Sequence, residues 1–241
     1  MNALHDSLHR RIAAQAAQLA SSSVEWMYED PFWRARYGDE RARRFGNEDA
    51  LFHVRYLVLA LQERRPSVME GYAAWLRPLL VGRGMCTRHL DQHFAGLQAA
   101  LAAAGLGLDS LAQIYVQAGR RALLYPEGPA RALQDATPAL AQQTLRLLAS
   151  DVPPEIHSRL EEEGLLQLSY LADSVGTGRP ELFPQHARWY RDFWPQRALD
   201  SLSFQRFIEA LDSVLAEGFV PPASTDLDTV RAVLASARAA S

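Results

Sequence analysis

Lysine is missing from this 241-residue chain: all 25 basic side chains are arginines, set against 28 acidic ones. The resulting net charge of −3 withholds the excess of cations that generic nucleic-acid binding requires, so no nucleic acid is expected as a partner. Cysteine occurs once, at Cys86, which excludes an internal disulfide and fits a reducing cytoplasm. No apolar run approaches the roughly 20 residues of a membrane span. The opening MNALHDSLHRRIAAQ holds no apolar stretch ahead of a small-residue cleavage site, so neither a membrane anchor nor a secretory leader is expected. A glycine-rich phosphate loop, a Gly-x-Ser-x-Gly elbow and a His-Glu-x-x-His pair are all absent. So is any Glu-x-x-His, which a carboxylate-bridged di-iron bundle needs on two of its helices; Glu48 and Glu162 then read as first-turn glutamates favoured by the helix dipole.

What the chain does contain is helix formers nearly throughout, mainly alanine, leucine, arginine, glutamine and glutamate. Alternating β-branched segments with hairpin turns are lacking, and the expected fold class is all-α. Leu8, Ile12, Ala16 and Leu19 mark a first helix over 5–22, with Ser21-Ser22-Ser23 as its end. Residues 24–38 form an aromatic and acidic connector in which Asp30 suits an N-cap and Pro31 the first helical position. A helix starting at Asp39 offers Phe45, Phe52, Tyr56 and Leu59 as apolar contacts, and Arg65-Pro66 breaks it. Further helices follow at about 67–81 and 86–104.

Residues 48–101 match residues 162–215 at a constant offset of 114, with 12 identities and no gap. Tyr56-Leu57 falls on Tyr170-Leu171, Arg65-Pro66 on Arg179-Pro180, Trp75-x-Arg77 on Trp189-x-Arg191, and Arg83 on Arg197. The expectation is a duplicated bundle of about nine or ten helices with an internal pseudo-two-fold repeat. Residues 1–107, with the extra connector 24–38, form the first unit and 108–241 the second, within one compact domain.

Three clusters are candidate sites. Cys86, His89 and His93 lie within about 60° on one helical face, and a thiolate with two imidazoles suits zinc, iron or copper. The repeat places Asp200, Ser203 and Phe207 at those positions, so the fold itself does not demand the trio, and a half-buried histidine is the competing reading. His53, opposite Gln167, is the candidate for a further ligand. The repeated tryptophan and arginine (Trp75 and Arg77, Trp189 and Arg191) can present guanidinium groups to a carboxylate or phosphate, or simply cap a helix end or pair with a nearby acid. Arg34, Arg36, Arg41, Arg43 and Arg44 interleave with Trp33, Tyr37 and Phe45, an arrangement that can grip a phosphate. Glu29, Asp30, Asp39, Glu40, Glu48 and Asp49 surround them, and ion pairing on a solvated face is the alternative. Trp26 and Tyr28 complete the aromatic set of the connector.

Two segments carry a resemblance. Tyr170-Leu171-Ala172 followed by Gly178-Arg179-Pro180-Glu181-Leu182-Phe183 and Trp189 resembles helical modules of bacterial regulatory proteins that accompany cobalamin-binding or STAS-type domains. Tyr56-Leu57, Arg65-Pro66, Tyr72, Trp75-Leu76 and Arg83-Gly84-Met85 resemble the same pattern. The likeness covers about 30 residues per copy and carries no catalytic residue, and this chain has no accompanying α/β domain. It implies a cytoplasmic, non-catalytic sensory or regulatory module that binds a small ligand or a protein partner, at the 24–45 connector or between the halves; homodimerisation stays open. The alternative is a metal- or haem-dependent helical enzyme using the Cys86, His89 and His93 face.

Overall fold

The computed structural model describes residues 2–199, 201–221 and 223–238; for 2–6, Tyr37, 41–43, Phe45, 224 and 225 it describes the backbone alone. Among the described residues the chain is all-helical, with no strand. Its twelve α-helices are α1 (Asn2–Ala14), α2 (Ala16–Met27), α3 (Pro31–Tyr37), α4 (Asp39–Glu63), α5 (Ser67–Val81), α6 (Thr87–Ala103), α7 (Leu111–Arg121), α8 (Pro129–Leu148), α9 (His157–Gly176), α10 (Leu182–Phe193), α11 (Phe204–Gly218) and α12 (Ser224–Arg238).

Twelve replaces the expected nine or ten because the N-terminal region is more broken than its periodicity suggests. The single helix expected over 5–22 is two helices that meet at Gln15, where φ −104° and ψ 9° interrupt the α geometry. The three serines do not end it; α2 continues through them to Met27. The connector supplies its own helix. As expected, Asp30 caps it by accepting a 2.9 Å hydrogen bond from the Phe32 amide, and Pro31 takes the first position.

The chain divides into two compact units, one running up to Leu79 and adding His89–Leu123, the other comprising Leu80–Arg88 and the chain from Leu124 onward. The division differs from a cut at 107/108: α7 belongs to the first unit and the 80–88 segment to the second.

In the first unit, α1, α2, α3 and α7 all pack on the long α4. The face α4 buries is Ala50, His53, Val54, Leu57, Ala60 and Leu61, at i, i+3 and i+4 spacing. Phe52 and Leu59, expected as core contacts, are exposed instead (49% and 39%), and Tyr56 is half-buried. α4 has two apolar stripes, and the one built from smaller side chains faces inward. The side chain of Phe45 lies outside the described residues.

In the second unit α9 packs along α8, and α10, α11 and α12 complete the bundle. Gly164 allows the α8–α9 approach: a Cβ there would lie 3.0 Å from that of Ala141. Glu163 of α9 ion-pairs with Arg197, both fully buried, and accepts a 2.6 Å hydrogen bond from the Tyr190 hydroxyl. The 80–88 segment is held by Asp173, whose carboxylate accepts from the Thr87 amide (2.6 Å), the Thr87 hydroxyl and the Tyr125 hydroxyl (2.8 Å). This carboxylate caps the first turn of α6 from another helix, satisfying an amide that helix geometry leaves without a partner.

Local geometry recurs at the offset of 114. The turn after α4 has Arg64 at φ 58°, with bonds from the amide of Arg64 to the carbonyl of Leu61 and from Arg65 to Ala60. The turn after α9 has Gly178 at φ 65°, with the corresponding bonds from Gly178 to Val175 and from Arg179 to Ser174. Gly84 (φ 86°) bonds Val81 as Ala198 (φ 52°) bonds Pro195. Side chains follow suit. His53 and Tyr72 share a 2.9 Å hydrogen bond where Gln167 and His186 share one of 3.2 Å. Tyr72 stacks on Tyr56 at 3.9 Å between centroids, and His186 on Tyr170 at 3.4 Å.

Candidate functional site

The first unit contains a histidine cluster that its sequence positions announce only in part. His89 and His93 lie one turn apart on α6, and His53 comes from α4. The His53 and His93 rings meet edge to face with centroids 5.3 Å apart, and both residues are almost wholly buried. Trp33 of α3 covers both α6 histidines, 4.9 Å from His89 and 5.4 Å from His93, while Phe32 stacks on His89 at 4.3 Å. Phe94 closes against His53 at 4.9 Å. Ser23 of α2 donates to the His93 carbonyl at 3.5 Å.

Polar satisfaction in this cluster is incomplete. Nδ1 of His53 is bonded to the Tyr72 hydroxyl, but its Nε2 and the Nδ1 of His93 are buried without a hydrogen-bond partner. Burial, with His93 adding to it, pushes His53 well below its ordinary value, and burial lowers His93 to about 4. Both imidazoles are therefore neutral at pH 7. The Tyr72 hydroxyl is pushed up by burial, then by Asp49 and Tyr56.

At the offset of 114, His89 and His93 correspond to Ser203 and Phe207. In the second unit Trp194, from the short 3-10 turn after α10, packs 5.3 Å from Phe207 and donates to the Leu202 carbonyl at 2.6 Å. The segment at the matching position, 80–88, belongs to the second unit. In the first unit Trp33, from the connector helix, packs beside His93, and Phe32 and Trp33 are buried (0% and 6%).

The expected metal trio divides. His89 and His93 lie in the aromatic cluster of the first unit, while Cys86 is buried and belongs to the second. Among the described residues, no group of three or more histidine, cysteine, aspartate or glutamate side chains is placed to hold a metal ion. Asp200, the counterpart of Cys86, lies outside the described residues.

The other candidates spread out. Arg77 donates to the Leu123 carbonyl at 2.9 Å, just past the end of α7, and Arg191 pairs with its neighbour Asp192 at 3.0 Å. Trp189 is half-buried and stacks on Phe193 at 4.9 Å. In the connector, Arg34 pairs with Asp39 at 3.3 Å, Tyr28 is half-buried against Gly46, and Trp26 is exposed. The side chains of Tyr37, Arg41 and Arg43 lie outside the described residues; Arg44 pairs with Glu48 at 3.1 Å.

A surface on α4 and α5 joins the candidate Trp75 to residues that the sequence reading placed in the core. Trp75 is 59% exposed and stacks on Tyr72, which stacks in turn on Tyr56. Phe52 and Leu59 flank Tyr56 on the outer side of α4, at i−4 and i+3, and the Arg55 guanidinium sits over the Phe52 ring at 5.6 Å. On α5 the exposed positions around Trp75 are Gly71, Ala74 and Pro78, none of them charged. The matching positions of α9, Leu166, Tyr170 and Asp173, are all buried. The signal was present in the internal match: Leu59 aligns with Asp173, an apolar-for-acid exchange that marks different surroundings.

No helix among the described residues is long and apolar enough to cross a membrane. No known protein family, characterised protein or solved structure matches the chain.

Proposed function

We propose that this chain is a non-catalytic regulatory module, built by duplication of a three-helix unit, whose first copy docks a protein partner. The recurring turns, the two stacked Tyr–ring pairs and the two matching hydrogen bonds support the duplication. The resemblance to helical modules of bacterial regulatory proteins belongs to the same reading, as does action in the cytoplasm.

One observation carries the docking assignment. Phe52, Leu59 and Trp75 are exposed around the half-buried Tyr56, while at the matching positions of the second copy Leu166, Tyr170 and Asp173 are buried and Trp189 is half-buried. An exposed tryptophan on a rigid aromatic stack is the residue type that anchors protein interfaces. The occupant this face suits is an apolar helical segment flanked by carboxylates, which Arg55 would meet. The connector then plays a packing role through Phe32 and Trp33, in place of the ligand-contacting role expected of it.

Replacing Trp75 by alanine tests the reading, with Trp189→Ala as the repeat-matched control. Proteins that co-purify with the wild-type chain from its source cells are quantified against both variants. A specific partner retained by Trp189→Ala and lost, at least tenfold, by Trp75→Ala supports the assignment. A partner held equally by all three chains, or a chain with a defined small-molecule turnover, contradicts it.

A further inference from the structure

We infer that His53 and His93 form an acid-sensitive lock: their protonation opens the first unit, and the opening releases Tyr72 and the aromatic stack above it. A neutral imidazole carries one N–H, and a second proton must go to the remaining nitrogen. Whichever nitrogen takes it, each imidazolium carries two N–H groups and one of them is left without an acceptor: Nε2 of His53 and Nδ1 of His93 are buried with no hydrogen-bond partner. Two cations with ring centroids 5.3 Å apart would also repel in a weakly screened interior.

Among the described residues, the surroundings offer little to stabilise such charges. α5 contributes the Tyr72 hydroxyl, already bonded to His53. α4 contributes Tyr56 and the half-buried Asp49, both of which act on Tyr72. α6 adds His89, itself under Phe32 and Trp33, and α3 presents those two rings to the cluster. α2 presents the Ser23 hydroxyl, which is directed at the His93 carbonyl. Acid is therefore accommodated by opening the unit rather than by titrating inside it.

Opening has a defined path outward. His53 holds Tyr72, and Tyr72 supports both Tyr56 and Trp75. The second copy is built without this device: at the matching positions it has Gln167 and Phe207. That the opening would reach a docked partner rests on the function proposed above; the opening itself does not.

Hydrogen–deuterium exchange of the full chain between pH 7.5 and 4 tests the lock, with rates corrected for intrinsic pH dependence. Loss of protection in 50–61 and 89–101 is expected to steepen below pH 6.5. The open fraction should rise by about 100-fold per pH unit at most, the limit for uptake of two protons. Protection in 160–175 and 204–215 should change much less. His53→Gln with His93→Phe, the residues found in the second copy, should flatten the profile of the first unit, while His9→Gln should leave it unchanged.

An unaltered acid profile in the double variant overturns the lock. Should that variant not fold, nuclear magnetic resonance titration of the wild-type histidines decides: His53 and His93 titrating near 6.5 inside the folded protein overturn it, and their silence until the unit opens supports it. Neither readout needs a partner, so a lock that works in a chain with no docking partner would leave this inference standing and remove the function.

Discussion

Arg197 donates to Glu163 with both side chains sealed from solvent, at 3% and 0% exposure. The matching residues of the first copy, Arg83 and Asp49, are exposed and half-buried. A buried pair contributes little net stability against an apolar replacement, yet removing one member leaves an uncompensated charge. Glu163→Ala is therefore expected to destabilise the chain by about 3–5 kcal/mol. Arg83→Ala should stay within about 0.5 kcal/mol. Denaturant unfolding of the two variants checks the contrast.

Two glycines in the first unit should respond to alanine in opposite directions. A Cβ on Gly96 would lie 2.9 Å from the backbone oxygen of Ser23, so α2 and α6 must move apart; a loss of about 1–3 kcal/mol is expected. Gly71, in the middle of α5, has nothing within 4 Å of its Cβ position. Gly71→Ala should stabilise by about 0.4–1 kcal/mol through the reduced freedom of the unfolded chain. Thermal melts of both variants decide the signs.

Ala198 holds a left-handed conformation at φ 52°, where the first copy has Gly84. Exchanging it for glycine relieves the Cβ strain, and Ala198→Gly should raise stability by up to about 1 kcal/mol. An unchanged or lowered unfolding midpoint would show that this turn is not strained.

The histidine cluster also predicts how stability depends on pH. A histidine depressed on folding binds its proton more readily in the unfolded chain. Its stabilisation is complete above the unfolded value of 6.5 and is lost as pH falls toward the folded value. For His93, lowered to about 4, the window runs from pH 6.5 to 4 and the loss reaches about 3 kcal/mol. His93→Phe should keep most of this stability at pH 4.5, as measured by urea unfolding at pH 7 and 4.5.

The residues that could be read in advance were those whose role is local. Asp30 and Pro31 start a helix through their own amide and ring geometry, and Arg65-Pro66 ends one for the same reason. The internal match carried the boundaries of α4, α5 and α6 onto α9, α10 and α11. The missing knowledge depends on which face of a helix is covered. α4 carries Phe52, Tyr56 and Leu59 on one stripe and Val54, Leu57 and Leu61 on another, and periodicity alone cannot choose between them. The break at Gln15 has no proline or glycine to mark it. The covering of His89 and His93 by Phe32 and Trp33 joins residues nearly 60 positions apart, which no spacing rule anticipates.

Photo-crosslinking from position 75 tests the central claim most directly. A benzophenone amino acid placed at 75, and in separate chains at 52 and at the exposed control position 220, is activated in the source cells. The account predicts one discrete adduct to the same protein from 75 and 52, and none from 220. Equal, diffuse labelling from all three positions, or adducts confined to 220, would contradict a docking face on the first copy.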